Sequence, residues 1–128
     1  MNGEYRLLLV DDDEAVVKAL TASLRTMDVE VDVASSGADA LDKLRTGDYS
    51  VLLTDHRMPG MTGESLITEA KAHLERAKTK VFIMSGWYDT TGTGVLHEVG
   101  GYQVRMLSKP MNLDVLEKVV ALTRGLVG

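Results

Sequence analysis

The chain has 128 residues, enough for one domain around a single core. It is 45% hydrophobic and 26% charged, and it has no Cys, which excludes a disulfide framework and thiol chemistry. A net charge of −5 argues against general nucleic-acid affinity, no apolar run nears the roughly 20 residues that span a bilayer, and the N-terminus lacks a signal-peptide pattern; the expectation is a soluble cytoplasmic protein with no membrane or nucleic-acid contact of its own.

Apolar runs alternate with helix-like segments. Residues 6–10 predict a first strand, and residues 13–27 a helix with Val16, Val17, Leu20 and Leu24 at helical spacing. Residues 29–34 alternate Val with acids, as in a strand near a sheet edge. Ser36 caps a second helix that runs to about Arg45 and stops at Gly47. Residues 49–54 are a central apolar strand, and residues 55–63, with Pro59, Gly60 and Gly63, a loop. A helix over 64–77 and a strand over 80–84 follow. The weakest predicted helix covers 90–99: Gly92 and Gly94 each cost about 1 kcal/mol against Ala, so the segment is expected to be mobile or partly unwound. Residues 103–107 form the last strand, and 112–124 an amphipathic helix after Pro110. Five βα units predict a parallel sheet with helices on both faces and right-handed crossovers. No internal repeat or linker divides them.

Three of the strands stop abruptly in charge. Leu7-Leu8-Leu9-Val10 ends at Asp11-Asp12, Val51-Leu52-Leu53-Thr54 at Asp55, and Val104-Arg105-Met106-Leu107-Ser108 at Lys109-Pro110. In open parallel sheets, ligands bind outside the carboxyl ends of the strands. Carboxylates gathered there repel one another, and a hard divalent cation such as Mg²⁺ relieves that repulsion through oxygen ligands. The ordinary alternative is that these acids cap the first helix, but one cap needs one acid and three stand in a row. Asp12 then binds a metal directly, Asp11 acts through water, and Asp13 serves as the cap. A carboxylate at Asp55 has the chemistry to attack phosphorus and form an acyl phosphate, where the plainer reading is an acid that opens a turn. Opposite such a group, the compact charge of Lys109 pairs with a phosphate oxygen. A cis Lys109–Pro110 bond would aim that lysine inward. Ser85, at the fourth strand end, offers a hydroxyl donor, and Gly86 leaves room for a backbone N–H.

The remaining candidates carry less. His56 reads as an exposed loop residue rather than a general base, and His73 and His97 show no metal-ligand spacing. Trp87 and Tyr88 form a binding surface or a cover for the site. The seven Met are scattered, as core or loop residues are.

Taken together, these residues resemble the receiver domain of two-component response regulators, over about residues 6–123. The motifs VDDDEA (10–15), TDHRMPGMTG (54–63), MSG (84–86) and LSKP (107–110) stand in the family's order and at its spacing. The resemblance implies one receiver domain over 1–128, core about 6–124, with a flavodoxin-like (βα)5 fold and a five-stranded parallel sheet in the order 2-1-3-4-5. It implies that Asp55 accepts a phosphoryl group from a sensor histidine kinase or phosphotransfer protein. Asp12, Asp55 and the backbone carbonyl of Arg57 hold Mg²⁺, with Asp11 bound through water, and Ser85 and Lys109 bind the phosphoryl oxygens. Such a domain is a switch, not an enzyme, and acts on a downstream protein or a second copy through the face of its fourth helix, fifth strand and fifth helix.

Four positions depart from the family. Met106 stands where an aromatic residue is usual, so the coupled hydroxyl–aromatic switch cannot operate in its usual form. Gly92 and Gly94 weaken the fourth helix. Arg57 and Trp87 flank the path of hydrolytic water, which implies slow loss of phosphate. Met111 replaces an aromatic residue after Lys109-Pro110, a packing change. Two rivals stand beside this reading. A haloacid-dehalogenase-like phosphatase shares the Asp11-x-Asp13 opening, but Ala15 and the missing acidic pair after Lys109 speak against it. The other rival is a receiver-like interaction module that works without phosphorylation.

Overall fold

A computed structural model describes residues 5–86, 95–109 and 111–127. Its elements are β1 (Arg6–Val10), α1 (Glu14–Arg25), β2 (Glu30–Ala34), α2 (Gly37–Thr46), β3 (Val51–Asp55), β4 (Arg57–Met58), β5 (Met61–Thr62), α3 (Gly63–Ala77), β6 (Lys80–Ser85), β7 (Val95–Val99), β8 (Tyr102–Ser108) and α4 (Leu113–Val127). The main sheet runs β2-β1-β3-β6-β8-β7. Its first five strands are parallel, in the expected order.

The all-apolar strands follow from cover on both faces. Leu7 to Val10 and Val51 to Leu53 are fully buried. Along β1 the side chains alternate between two cores. Leu8 and Val10 pack with α2 and α3 through Leu41, Leu44, Leu66 and Ile67. Leu7 and Leu9 pack with α1 and α4 through Leu20, Leu24, Leu116 and Val119. Asp13 caps α1, Ser36 caps α2 and Gly47 ends α2, as the sequence implies, and Thr62 caps α3.

Two segments differ from expectation. Residues 95–99 are not helix. They form β7, which pairs antiparallel with β8, Val99 opposite Tyr102 and Val95 opposite Met106. The two strands are joined by Gly100 and Gly101 at φ of 57° and 85°. Positive φ at both central residues is the requirement of a type I′ hairpin, and a Gly-Gly pair meets it without strain. The sheet therefore gains a sixth, antiparallel strand, and the described residues hold four helices rather than five. The expectation of a face built on a fourth helix at these positions is corrected accordingly: residues 95–99 are a strand beside β8. The loop after Asp55 is also more ordered than predicted, because β4 and β5 pair across Pro59 and Gly60. The readings of Trp87, Tyr88, Gly92, Gly94 and the isomer at Pro110 fall outside the described residues.

Candidate functional site

Parallel register brings the charged strand ends together. Val10 lies opposite Thr54, Asp55 opposite Met84, and Ser85 opposite Ser108. Asp11 N–H donates to Ala34 O at 3.2 Å, which carries the β1–β2 pairing one residue beyond the strand. Asp13 accepts from the Ala15 and Val16 N–H groups at 3.0 and 3.4 Å, so it is occupied as the cap of α1. Its own N–H donates to Asp11 Oδ1 at 3.0 Å.

Asp11, Asp12 and Asp55 each place a carboxylate oxygen within 4.8 Å of the others. Asp11 and Asp55 are buried, and Asp12 is exposed. Lys109 Nζ stands 2.7 Å from Asp55 Oδ1. His56 N–H donates to the same oxygen at 2.8 Å, so the Asp55 carboxylate is gripped from two sides. Lys109 is itself placed by its backbone N–H, which donates to Ser85 O at 2.9 Å. Ser85 is buried at the end of β6, one strand from Lys109. Arg57 opens β4 two residues past Asp55, with an exposed side chain.

One ammonium faces three carboxylates, and the excess negative charge is felt at Asp11. Burial pushes its carboxyl above the ordinary carboxylate value; the Asp13 N–H opposes this, and the nearby charge of Asp55 adds to it. Asp11 Oδ2 is buried without a hydrogen-bond partner. An orphaned carboxylate oxygen beside two further carboxylates is costly in a folded protein. The donor set is all oxygen, which fits a hard divalent cation and not a soft metal.

Two residues that the sequence reading passed over complete the surroundings. Gly63 opens α3, and a Cβ there would fall 2.7 Å from Asp55 O. Only glycine lets α3 sit this close to the backbone of Asp55. The clue was a glycine placed between a Pro-Gly turn and a helix. Glu64, the next residue, reaches back to His56: Glu64 Oε2 lies 2.7 Å from His56 Nε2. His56 is therefore half-buried and tethered, not the exposed loop residue expected. Beside Lys109, Ala15, Val16, Ala19, Leu20, Met84 and Met111 line an open, mostly apolar cavity of about 540 Å³. Met111 also packs against the α1–α4 core, in keeping with a packing role. Met106 is buried in the α2–α3 core with Ile83 and Val104. His73 and His97 lie on α3 and β7, away from the acidic cluster.

The sequence model of the family described as response regulator receiver domain matches residues 7–121. Among curated relatives, the cell cycle response regulator CtrA of Brucella ovis is 28% identical over 81 residues, 63% of this chain and 34% of the relative. The chain thus spans about a third of the length of the curated relatives it matches. The solved receiver domain of the hybrid histidine kinase CckA superposes with a TM-score of 0.75 at 29% identity, covering 93% of this chain and 98% of the other. A CheY-like receiver domain from Methanospirillum hungatei gives 0.78 at 25% identity, with 95% of each chain covered.

Proposed function

The chain belongs to the response regulator receiver domain family, and on that premise we propose that Asp55 is its phosphoacceptor. It is a receiver domain of the kind found in two-component response regulators; the phosphatase and the phosphorylation-independent readings are not favoured. The phosphodonor is a phosphohistidine on a sensor histidine kinase or phosphotransfer protein. As a carboxylate oxygen of Asp55 bonds to phosphorus, the P–N bond of the donor breaks, and the freed imidazole keeps the electron pair and takes a proton from water. The protein does little covalent work beyond this; it positions groups and neutralises charge.

The observation that carries this reading is the contact of Lys109 Nζ with Asp55 Oδ1 at 2.7 Å inside a cluster of three carboxylates. Lys109 is placed to turn from the carboxylate to a phosphoryl oxygen once one is attached, and Ser85 supplies a second donor. Receiver domains bind Mg²⁺ in an acidic pocket of this kind. Here Asp12, Asp55 and the Arg57 carbonyl would hold it, with Asp11 acting through water. The ion would supply neutralisation of the charge that develops on the transferring group. Asp11 suits that role, since its buried Oδ2 is not taken up by a protein hydrogen-bond donor and is open to a water held by the ion.

We take residues 1–128 as one receiver domain, core about 6–124, that works in the cytoplasm as a switch rather than by turnover. Its downstream partner, a further protein or a second copy, meets the β7–β8–α4 face, where Leu96 and Leu122 are exposed. The bulk of Arg57 beside the site favours slow loss of phosphate. Labelling with a small phosphodonor and Mg²⁺ tests the assignment. One phosphoryl group per chain is expected for the wild type and none for Asp55→Asn; equal labelling of the two overturns it.

A further inference from the structure

We propose that His56 and Glu64 are a positioning pair that tunes the affinity of the acidic site for a divalent cation. This rests on the reading of Asp11, Asp12, Asp55 and the Arg57 carbonyl as a metal site. His56 is a junction. Its N–H lies 2.8 Å from Asp55 Oδ1 and 2.9 Å from Met84 O, so it serves both the carboxylate and the neighbouring strand. Its carbonyl accepts the Gly63 N–H at 2.9 Å, which ties it to the start of α3. Its ring is tied to the same turn of α3 through Glu64 at 2.7 Å.

These contacts form a closed circuit: Asp55, His56, Glu64, Gly63 and back to Asp55 O, against which Gly63 is pressed. The backbone bonds survive any change of side chain. The ring–carboxylate contact adds a side-chain link between His56 and α3, and it stands immediately before Arg57. Without it, the amide that grips Asp55 Oδ1 and the peptide that leads to Arg57 lose a side-chain tether to α3. A single partly exposed side-chain contact contributes little to stability, so the value of this one lies in placement. Partners that orient metal ligands typically change affinity more than they change folding.

The test compares Glu64→Ala with Glu64→Gln in the full chain, by calorimetric titration with Mg²⁺ and by the rate of labelling with a small phosphodonor. Glu64→Ala is expected to weaken Mg²⁺ binding on the order of tenfold. The labelling rate at saturating Mg²⁺ stays at the wild-type value, because the reacting groups are intact. Glu64→Gln, which keeps an acceptor for the ring, restores most of the affinity. Unchanged affinity in Glu64→Ala overturns the proposal, and so does equal weakening in both variants, which would assign the effect to the charge of Glu64 rather than to its contact. If the wild type itself binds no Mg²⁺, the metal-site reading falls instead.

Discussion

Two aspartates on neighbouring strands are pushed in opposite directions. Asp11, just past β1, is raised above the ordinary carboxylate value by burial, with Asp55 adding to the shift. Asp32, on β2, is held below it, first by the Tyr49 hydroxyl and then by Arg6, with burial opposing. Around Asp32 the carboxylate meets a hydroxyl and a guanidinium, although Arg6 Nε is itself buried without a hydrogen bond. Tyr49 OH donates to Asp32 Oδ2 at 2.7 Å, Arg6 Nη2 donates to the same oxygen at 2.8 Å, and the guanidinium lies over the Tyr49 ring at 4.7 Å. Around Asp11 like charges are crowded and one oxygen has no partner. The β2 edge is built to stabilise the fold. The carboxyl-end site carries an electrostatic cost, which the proposed cation would remove.

The largest expected effect is at the stabilising cluster. Asp32→Ala leaves Tyr49 OH and Arg6 without their acceptor and lowers unfolding free energy by about 1–2 kcal/mol, measured by urea denaturation; the partial exposure of the pair keeps the figure modest. A variant as stable as the wild type would erase the contrast between the two sites.

A smaller effect of opposite sign is expected at Asp11. Its raised value means that stability falls as pH climbs from the ordinary carboxylate range through that raised value. Asp11→Asn removes the cost, so the metal-free protein melts higher than wild type at neutral pH, and the difference closes in acid. Added Mg²⁺ reverses the order, because the wild type gains more from binding. A metal-free Asp11→Asn that melts below wild type would show that the cluster is not strained.

A third effect is confined to high pH. Burial, with the hydrogen bond to Asp32, moves the Tyr49 hydroxyl from 10.0 to about 12. A raised folded value adds stability that is complete below pH 10 and is lost as pH rises through about 12. Urea midpoints across this window should fall further for wild type than for Tyr49→Phe. Tyr5 and Tyr102 are raised by burial too, so they act equally in both proteins, and parallel curves would remove Tyr49 from the account.

Much of the molecule is legible in the chain before it folds. Runs such as Leu7-Leu8-Leu9-Val10 declare strands buried on both faces, and the charges that end them declare where the site lies, because apolar burial and charge solvation are properties of the residues themselves. The helix caps at Asp13 and Ser36 are equally local and came out as read. The segment Val95–Val99, which Gly100, Gly101 and Tyr102 follow, is predicted as the end of the helix over 90–99. Its own signal, a Gly-Gly pair between alternating residues, was that of a hairpin.

Other features belong to no local pattern. The turn at Gly100 and Gly101 rests on α3, where added Cβ atoms would meet Thr68 and Lys71. Tyr102 OH reaches Leu74 O at 3.1 Å and Thr79 O at 2.5 Å, which fastens the hairpin to the end of α3. Outside residues 55–63 and 95–99, sequence alone determined the strand-and-helix order, and with it the two-faced core and the identity of the charged cluster, since these follow from residue chemistry and spacing. Only the tertiary structure decided that Lys109 grips Asp55, that Gly63 must be glycine and that His56 is tied to Glu64. Each of these is a distance between residues brought together by packing, and no pattern along one segment encodes it.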